Sequence, residues 1–347
     1  MTAYAALAMQ LTAKTVEHLP DDAAARTQIL AHIDRVAGQI AATKVFVEQF
    51  GGSALKLVVL PEYLFTSFPG RIGVAAFSAR AAFDVGGPEY ERLGRHAQRL
   101  GLFIAGNAYE NDRHFPGLYF QTSFVVDPAG DVVLRYRRLN SMYAVTPHDV
   151  WSKYLDIYGR DGVFPVADTG IGRIAAIASE EILYPEIART LALRGAEVFV
   201  HSSSEIGSPM LTHKAIARRA RAIENIAYVV SANTAGIDDP LLPLASADGN
   251  SAIVHYDGHV LAESNSGETM TAFADLDLAA LRRARRKPGM KNYLSRQRLE
   301  LFAETYAGSV QPADSLIDEG AVRQPDREHF KRVQATVIER LDKAGLI

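Results

Sequence analysis

Three short stretches of the 347-residue sequence combine residue types that can move a proton, hold an anion and attack a carbon centre. In LVVLPEYLF, Glu62 follows a strand-like apolar run and Pro61. A carboxylate at the carboxyl end of an α/β strand stands where such folds build ligand sites, and burial there raises its pKa toward general-base work. In LRYRRLN, Arg137 and Arg138 close a strand. Successive strand residues face opposite ways, so the spacing predicts that only one of the two points inward, where it needs a carboxylate or charge developing on a substrate oxygen. In IAAIASEEILYPE, Ser179 sits at a strand-to-helix junction, as in a nucleophile elbow, though without the flanking glycines of that motif. Each stretch also has a structural reading: a capping Glu62, two solvated arginines, and an N-cap Ser179.

Composition narrows the chemistry. The chain has no cysteine, which excludes disulfides, thiolate metal sites and a cysteine nucleophile. Lys+Arg 37 against Asp+Glu 40 provides no overall field for nucleic acid or anionic membrane, and no window reaches the roughly 18 apolar residues of a membrane span. The N-terminus lacks the basic region of a signal peptide, so a cytoplasmic protein is expected. No spaced histidine pair, acidic cluster or Gly-rich phosphate loop points to a metal or nucleotide, and no cofactor is expected. The basic run LRRARRKPGMK (281 to 291) lacks interleaved aromatics and is read as a solvated helix end. Arg221 and Glu224 stand at i, i+3, suited to a helix-face pair.

These stretches need rigid elements to present them. Residues 3 to 10 and 55 to 60 read as strands flanking a long helix in which Ile29, Ile33, Val36 and Ile40 recur at helical spacing. A second helix (87 to 100), a strand (102 to 109) and a hairpin around Pro128-Ala129-Gly130 complete the first half. The second half repeats the plan: strand 173 to 178, helix 184 to 194, strand 196 to 200, helix 212 to 225, strand 226 to 232 and a hairpin through Asp257-Gly258. This alternation predicts a layered α/β sandwich with mixed sheets. Residues 139 to 162 interrupt it with an irregular, aromatic insertion that holds the only Trp, and such a segment more often lines a site than links domains. Helices are expected at 293 to 306 and 326 to 345.

Taken together, PEY, YRR and ASEEILYPE resemble the Glu, Lys and Cys motifs of the nitrilase superfamily, the carbon-nitrogen hydrolases. AYAALAMQL, GAEVFVHSSSE, RARAIENIAYVVSANTAG and GNSAIVHYDGHVLAES are similar to further segments of that family, in family order, across roughly residues 3 to 285. The resemblance implies a four-layer α-β-β-α sandwich over 1 to 285, a C-terminal helical extension over 286 to 347, and at least a homodimer. It implies hydrolysis of a non-peptide amide or nitrile through an acyl-enzyme, with Glu62 as general base. Arg138 stands at the position of the oxyanion-stabilising Lys, helped by the backbone N–H of Glu180, and Ser179 stands where the family has its cysteine. Asp149 is the positional candidate for a supporting Glu. Tyr184 and the aromatic residues Tyr143, Trp151 and Tyr154 are candidates for shaping the substrate site, which would take a small amide, nitrile or acid. A serine hydroxyl is far less acidic than a thiol and needs a well-matched base, for which His148, His201 and His213 are available. Three readings stay open: a serine-variant amidase, a catalytically silent member that binds a small amide- or acid-like ligand or serves as a structural partner, and a cysteine-to-serine replacement made to trap substrate.

Overall fold

The computed structural model describes residues 3–206, 211–308, 310–326 and 328–347. In chain order the first half comprises β1 (Ala3–Ala8), β2 (Thr12–Lys14), α1 (Asp22–Gly51), β3 (Leu55–Val59), α2 (Val74–Ala81), α3 (Pro88–Leu100), β4 (Phe103–Asn111), β5 (Tyr119–Val126) and β6 (Val132–Arg137). After α4 (Trp151–Tyr158), the second half runs through β7 (Ala167–Thr169), β8 (Gly172–Ala178), α5 (Pro185–Leu193), β9 (Val198–Ser203), α6 (His213–Asn225), β10 (Tyr228–Asn233) and β11 (Gly236–Asp238). It closes with β12 (Ala252–Val254), β13 (Val260–Glu263), β14 (Phe273–Asp277) and α7 (Leu278–Arg286), and α9 follows α8 (Ala303–Tyr306) at His329–Lys343.

Two six-stranded sheets form, ordered β14-β1-β3-β4-β5-β6 and β13-β12-β10-β9-β8-β7. Both are mixed, because crossover helices make the central pairs parallel while the hairpins add antiparallel strands. The period-2 alternation of β1 sorts its side chains into two cores. Tyr4, Ala6 and Ala8 pack with Leu57, Val59 and the second sheet's Ile174 and Ala176, so the sheets meet face to face. Ala5 and Leu7 point the other way, onto Ile29, Ile33, Val36 and Ile40 of α1. Helices α5 and α6 bury Ile187, Leu191, Ala217 and Ala222 against the outer face of the second sheet. The result is the α-β-β-α sandwich, with the Tyr4 hydroxyl donating to the Ile171 carbonyl (3.0 Å) across the layers.

The helix starts follow local chemistry. Asp21 caps α1 by accepting from the Ala24 N–H (2.8 Å), Pro opens α3 and α5, and Thr212 caps α6 by accepting from the Ala215 N–H (3.1 Å). Three expectations change. The insertion is less irregular than its composition predicts: Pro147–Val150 and α4 form consecutive helical turns, and a third small core gathers Phe115, Phe120, Tyr154 and Leu316 around them. The extension holds one long helix, α9, whereas 293 to 306 breaks into short turns ending in the one-turn α8. Its apolar residues Leu299, Leu301 and Phe302 stay exposed, so no buried stripe drives a continuous helix there. The basic run is also more structural than a solvated end: Arg282 pairs with Glu197 (2.6 Å), and Arg285 donates to the carbonyls of Ile226 and Ala196.

Candidate active site

The carboxyl ends of β3, β8 and β9, together with the chain leaving β6, converge on one buried polar network. Glu62, two residues beyond the end of the apolar strand segment, is almost fully buried. Its Oε1 accepts from Gln121 Nε2 (2.7 Å) and Arg138 Nη1 (3.4 Å), and its Oε2 accepts from the Ser204 N–H (2.9 Å). Arg138 Nη1 also donates to Gln121 Oε1 (2.6 Å), its Nε donates to the Asn140 carbonyl (2.7 Å), and its Nη2 binds the Glu180 carboxylate. One guanidinium thus joins Glu62 to the neighbour of Ser179. Burial penalises its charge, but Glu62 and Glu180 outweigh that and raise its pKa, so Arg138 remains a cation.

Ser179 is buried and adopts φ 49°, in the left-handed region that a residue with a Cβ enters only under constraint. The constraint is visible. Glu181, wholly buried, accepts from the Tyr136 hydroxyl (2.8 Å) and from the N–H groups of Ala178 (3.3 Å), Leu139 (2.6 Å) and Asn140 (2.9 Å). One carboxylate therefore ties the Ser179 turn to the segment that carries Arg138. Burial pushes Glu181 up to about 7, with Arg138 and these donors pulling it down. From the other side, His201 Nε2 lies 2.8 Å from the Ser179 carbonyl, and its Nδ1 lies 2.7 Å from Ser231 Oγ. A carbonyl only accepts, so Nε2 carries the proton and Nδ1 accepts from the Ser231 hydroxyl. Burial holds the His201 pKa down to about 3, which keeps the ring neutral. His201 therefore holds the backbone of Ser179 and leaves its hydroxyl to another group.

That group is Lys214. Its Nζ stands 3.0 Å from Ser179 Oγ, 3.2 Å from Ser203 Oγ and 3.0 Å from the Ser204 carbonyl. Burial lowers its pKa; Glu62 and Glu205 oppose that shift and Arg138 adds to it. Sequence reading missed Lys214, Gln121 and Asn107, the last accepting from Gln121 Nε2 (3.1 Å). A signal for Lys214 existed: 214, 218, 221 and 225 share one helical stripe, and Arg218, Arg221 and Asn225 on that stripe are buried.

The predicted residues divide. Glu62, Arg138, Ser179 and Glu180 are brought together, and Tyr184 sits close enough to Glu180 that its hydroxyl pKa rises through burial first and that charge second. Asp149, the positional candidate for a supporting carboxylate, accepts from the Thr146 N–H (2.9 Å), the Thr146 hydroxyl (2.8 Å) and Ser315 Oγ (2.7 Å), capping the insertion and tying it to the C-terminal segment. Trp151 packs against the small third core and lies 5.9 Å from the His148 ring, while Tyr143 is 67% exposed, with no contact to Ser179 or Arg138 among those observed. Tyr154 is buried in that third core, and His213 opens α6 as an exposed residue. The arginine expectation also changes, because both are buried. Arg138 lies beyond the last strand residue and turns into the network, whereas Arg137 is covered by the insertion and pairs with Asp112 (2.5 Å) and Glu110 (3.4 Å). Arg221 pairs with Glu224 (2.7 Å) as its spacing predicts, and also donates to the Ile182 carbonyl (2.8 Å) behind the Ser179 turn.

A family model described as carbon-nitrogen hydrolase matches residues 23–286. The chain belongs to the carbon-nitrogen hydrolase family. A formamidase of Bacillus cereus is 25% identical over 313 residues, covering 88% of each chain. Among solved structures, a carbon-nitrogen hydrolase from Helicobacter pylori superimposes with TM-score 0.64 at 18% identity, covering 88% of this chain and 98% of that one. A double mutant of the amidase from Nesterenkonia sp., in complex with acrylamide, superimposes with TM-score 0.60 at 18% identity, with the same coverage. These carbon-nitrogen hydrolase relatives share the nitrilase-superfamily sandwich, and this chain carries its Ser179, Glu62 and Arg138 at the carboxyl ends of that sandwich's strands. Among the described residues, no helix is long and apolar enough to cross a membrane.

Proposed function

We propose that the protein hydrolyses a small non-peptide amide by acyl transfer to Ser179, releasing ammonia or an amine and then a carboxylic acid. The observation that carries this reading is the placement of a strained, buried Ser179 beside the Glu62–Arg138 pair at the carboxyl ends of the strands. Attack by Ser179 Oγ on the amide carbon produces an oxyanion, which the Glu180 backbone N–H and the Arg138 cation stabilise. Glu62 orients Arg138 and supplies the negative charge that balances it in a buried site. Tyr184, flanking Glu180, contributes to the entrance. The relatives described as a formamidase and an amidase support an amide of few atoms.

One observation favours a second reading, a member that binds an amide or acid without turning it over. The Arg138 donors already engage Asn140, Gln121, Glu62 and Glu180, so an oxyanion would have to displace or share one of these partners. The test is ammonia release from formamide, acetamide and acrylamide, with intact mass after incubation with an activated acetyl ester. Turnover together with an acetyl adduct that disappears in Ser179→Ala is expected. Saturable binding of acetamide without ammonia or adduct supports the silent reading, and turnover restored by Ser179→Cys with Arg138→Lys would identify it as a silenced hydrolase.

A further inference from the structure

We infer that Lys214 is the general base and acid for Ser179, so that the site operates as a Ser–Lys dyad in a family position otherwise served by a thiol. The inference rests on the reading of Ser179 as nucleophile and assigns the group that activates it.

The argument starts from valence. An amine nitrogen on a lysine has three tetrahedral directions besides its Cε, and among the described residues Lys214 Nζ has three polar neighbours at 3.0 to 3.2 Å. One, the Ser204 carbonyl, only accepts, so it takes an N–H in either protonation state. The other two are hydroxyls, which accept from an ammonium and donate to a free amine. The same geometry therefore accommodates both states of Lys214 without movement of a heavy atom, as a proton-transfer group requires. A neutral Nζ gives two protons to Ser204 O and Ser203 Oγ and aims its lone pair at the Ser179 O–H. Ser203 donates or accepts as the state demands.

Competing bases are accounted for. His201 contacts the Ser179 carbonyl rather than its hydroxyl. Both Glu62 oxygens already accept, from Gln121, Arg138 and the Ser204 N–H, and Glu62 faces Lys214 as a charge. Among the described residues, the groups that tune Lys214 come from four segments: Glu62 beyond β3 and Glu205 beyond β9 favour the ammonium, Arg138 beyond β6 disfavours it, and Glu180 in the nucleophile turn favours it weakly. Burial of the amine works with Arg138 toward the free base.

The cycle balances. Ser179 Oγ forms a bond to the amide carbon while its proton passes to Nζ. Collapse of the tetrahedral intermediate breaks the carbon–nitrogen bond, and the ammonium returns that proton to the departing nitrogen. Water then attacks the ester, Nζ takes the water proton, and Ser179 regains it as the acid leaves.

The test compares wild type with Ser179→Ala, Lys214→Arg and Lys214→Met. The readouts are formamide hydrolysis, the rate at which phenylmethylsulfonyl fluoride adds to Ser179 by intact mass, and its pH dependence. Arginine keeps the charge and the contacts to Ser203 and Ser204 but cannot release a proton at working pH, so it serves as the folded control, with thermal unfolding recorded for each. The expected result is a loss of about 100-fold or more in both readouts for the two Lys214 variants, with the acid limb of the wild-type profile absent from both. Retention of wild-type rate and profile in Lys214→Arg overturns the dyad while leaving Ser179 as nucleophile. Formamide hydrolysis that survives Ser179→Ala overturns the acyl-enzyme reading itself. A wild-type Ser179 that gains no adduct at any pH, in protein that melts cooperatively, overturns the dyad.

Discussion

Arg137 and Arg138 are neighbours in the chain and both are buried, yet they sit in two different kinds of surroundings. Arg137 has its guanidinium 4.7 Å from the Phe120 ring centre and 4.9 Å from that of Tyr158, with Asp112 and Glu110 at its edge. These partners come from β4, β5 and the insertion, and none of them reaches Ser179. Arg138 is surrounded by polar groups of Asn140, Gln121, Glu62 and Glu180, the last being the neighbour of Ser179. A buried charge alone therefore does not mark a site. Arg137 is sealed by aromatic faces and paired with two carboxylates, which is a structural solution to burying a cation. Arg138 belongs to a network in which Glu62 also faces Lys214 as a charge and Glu180 adjoins Ser179.

The contrast can be broken by substitution. Arg137→Met removes the cation beside Asp112, which among the described residues keeps only the Tyr158 hydroxyl and the His114 N–H, and one of two cations beside Glu110, which keeps Arg135, so urea unfolding should show a loss of about 3 kcal/mol, with turnover per folded molecule nearly unchanged. A large drop in turnover at constant stability would place Arg137 in the site and erase the distinction. Glu62→Gln, on the Arg138 side, should do the reverse: a fall of about 100-fold in kcat/KM, equivalent to about 2.7 kcal/mol in the barrier, exceeding its effect on unfolding. Equal losses of rate and stability would make the Glu62–Arg138 pair merely architectural. A smaller effect is expected at Asp149. Asp149→Ala removes a cap and the tie to Ser315, lowering stability by about 1 kcal/mol without altering KM for an amide; a raised KM would return Asp149 to the substrate site.

The mildest effect near neutrality concerns His201 and His32, both held down to about 3 by burial. Their ordinary pKa is about 6.5, so below that pH the unfolded chain binds protons that the folded chain refuses. Their contribution is complete above pH 6.5 and is lost as the pH falls toward 3. Urea midpoints should decrease steadily over that window, and His201→Asn should flatten part of the slope. Because His201 also supports the Ser179 carbonyl, its loss should lower turnover already at pH 7.5, whereas loss of His32 on α1 should not.

Much of the scaffold could be read from pattern. The recurrence of Ile29, Ile33, Val36 and Ile40 located α1, and the alternation in AYAALA located a strand with one face on α1 and the other on the second sheet. Helix 293 to 306 failed because propensity without a buried face does not hold a helix. In the site, Glu62, Arg138 and Ser179 were legible because each follows a strand and together they match a family's order. Position alone marks Asp149 as a candidate, and local capping with Thr146 engages its carboxylate. The aromatic character of Tyr143 and Trp151 equally suits a substrate site, the small core where Trp151 packs and the surface where Tyr143 lies.

The sequence by itself determined the strand and helix periods, the carbon-nitrogen hydrolase order of Glu62, Arg138 and Ser179, and the absence of any thiol. It did not determine which group faces the hydroxyl of Ser179. Lys214 is 35 residues from Ser179, on a helix whose stripe of Lys214, Arg218, Arg221 and Asn225 gains meaning only once α6 packs over the second sheet. Contacts between such residues depend on crossover geometry and on a left-handed backbone at Ser179 that Glu181 and His201 enforce from different elements. Side-chain proximity across long sequence separations is a property of packing, and packing placed an amine within hydrogen-bond reach of the serine.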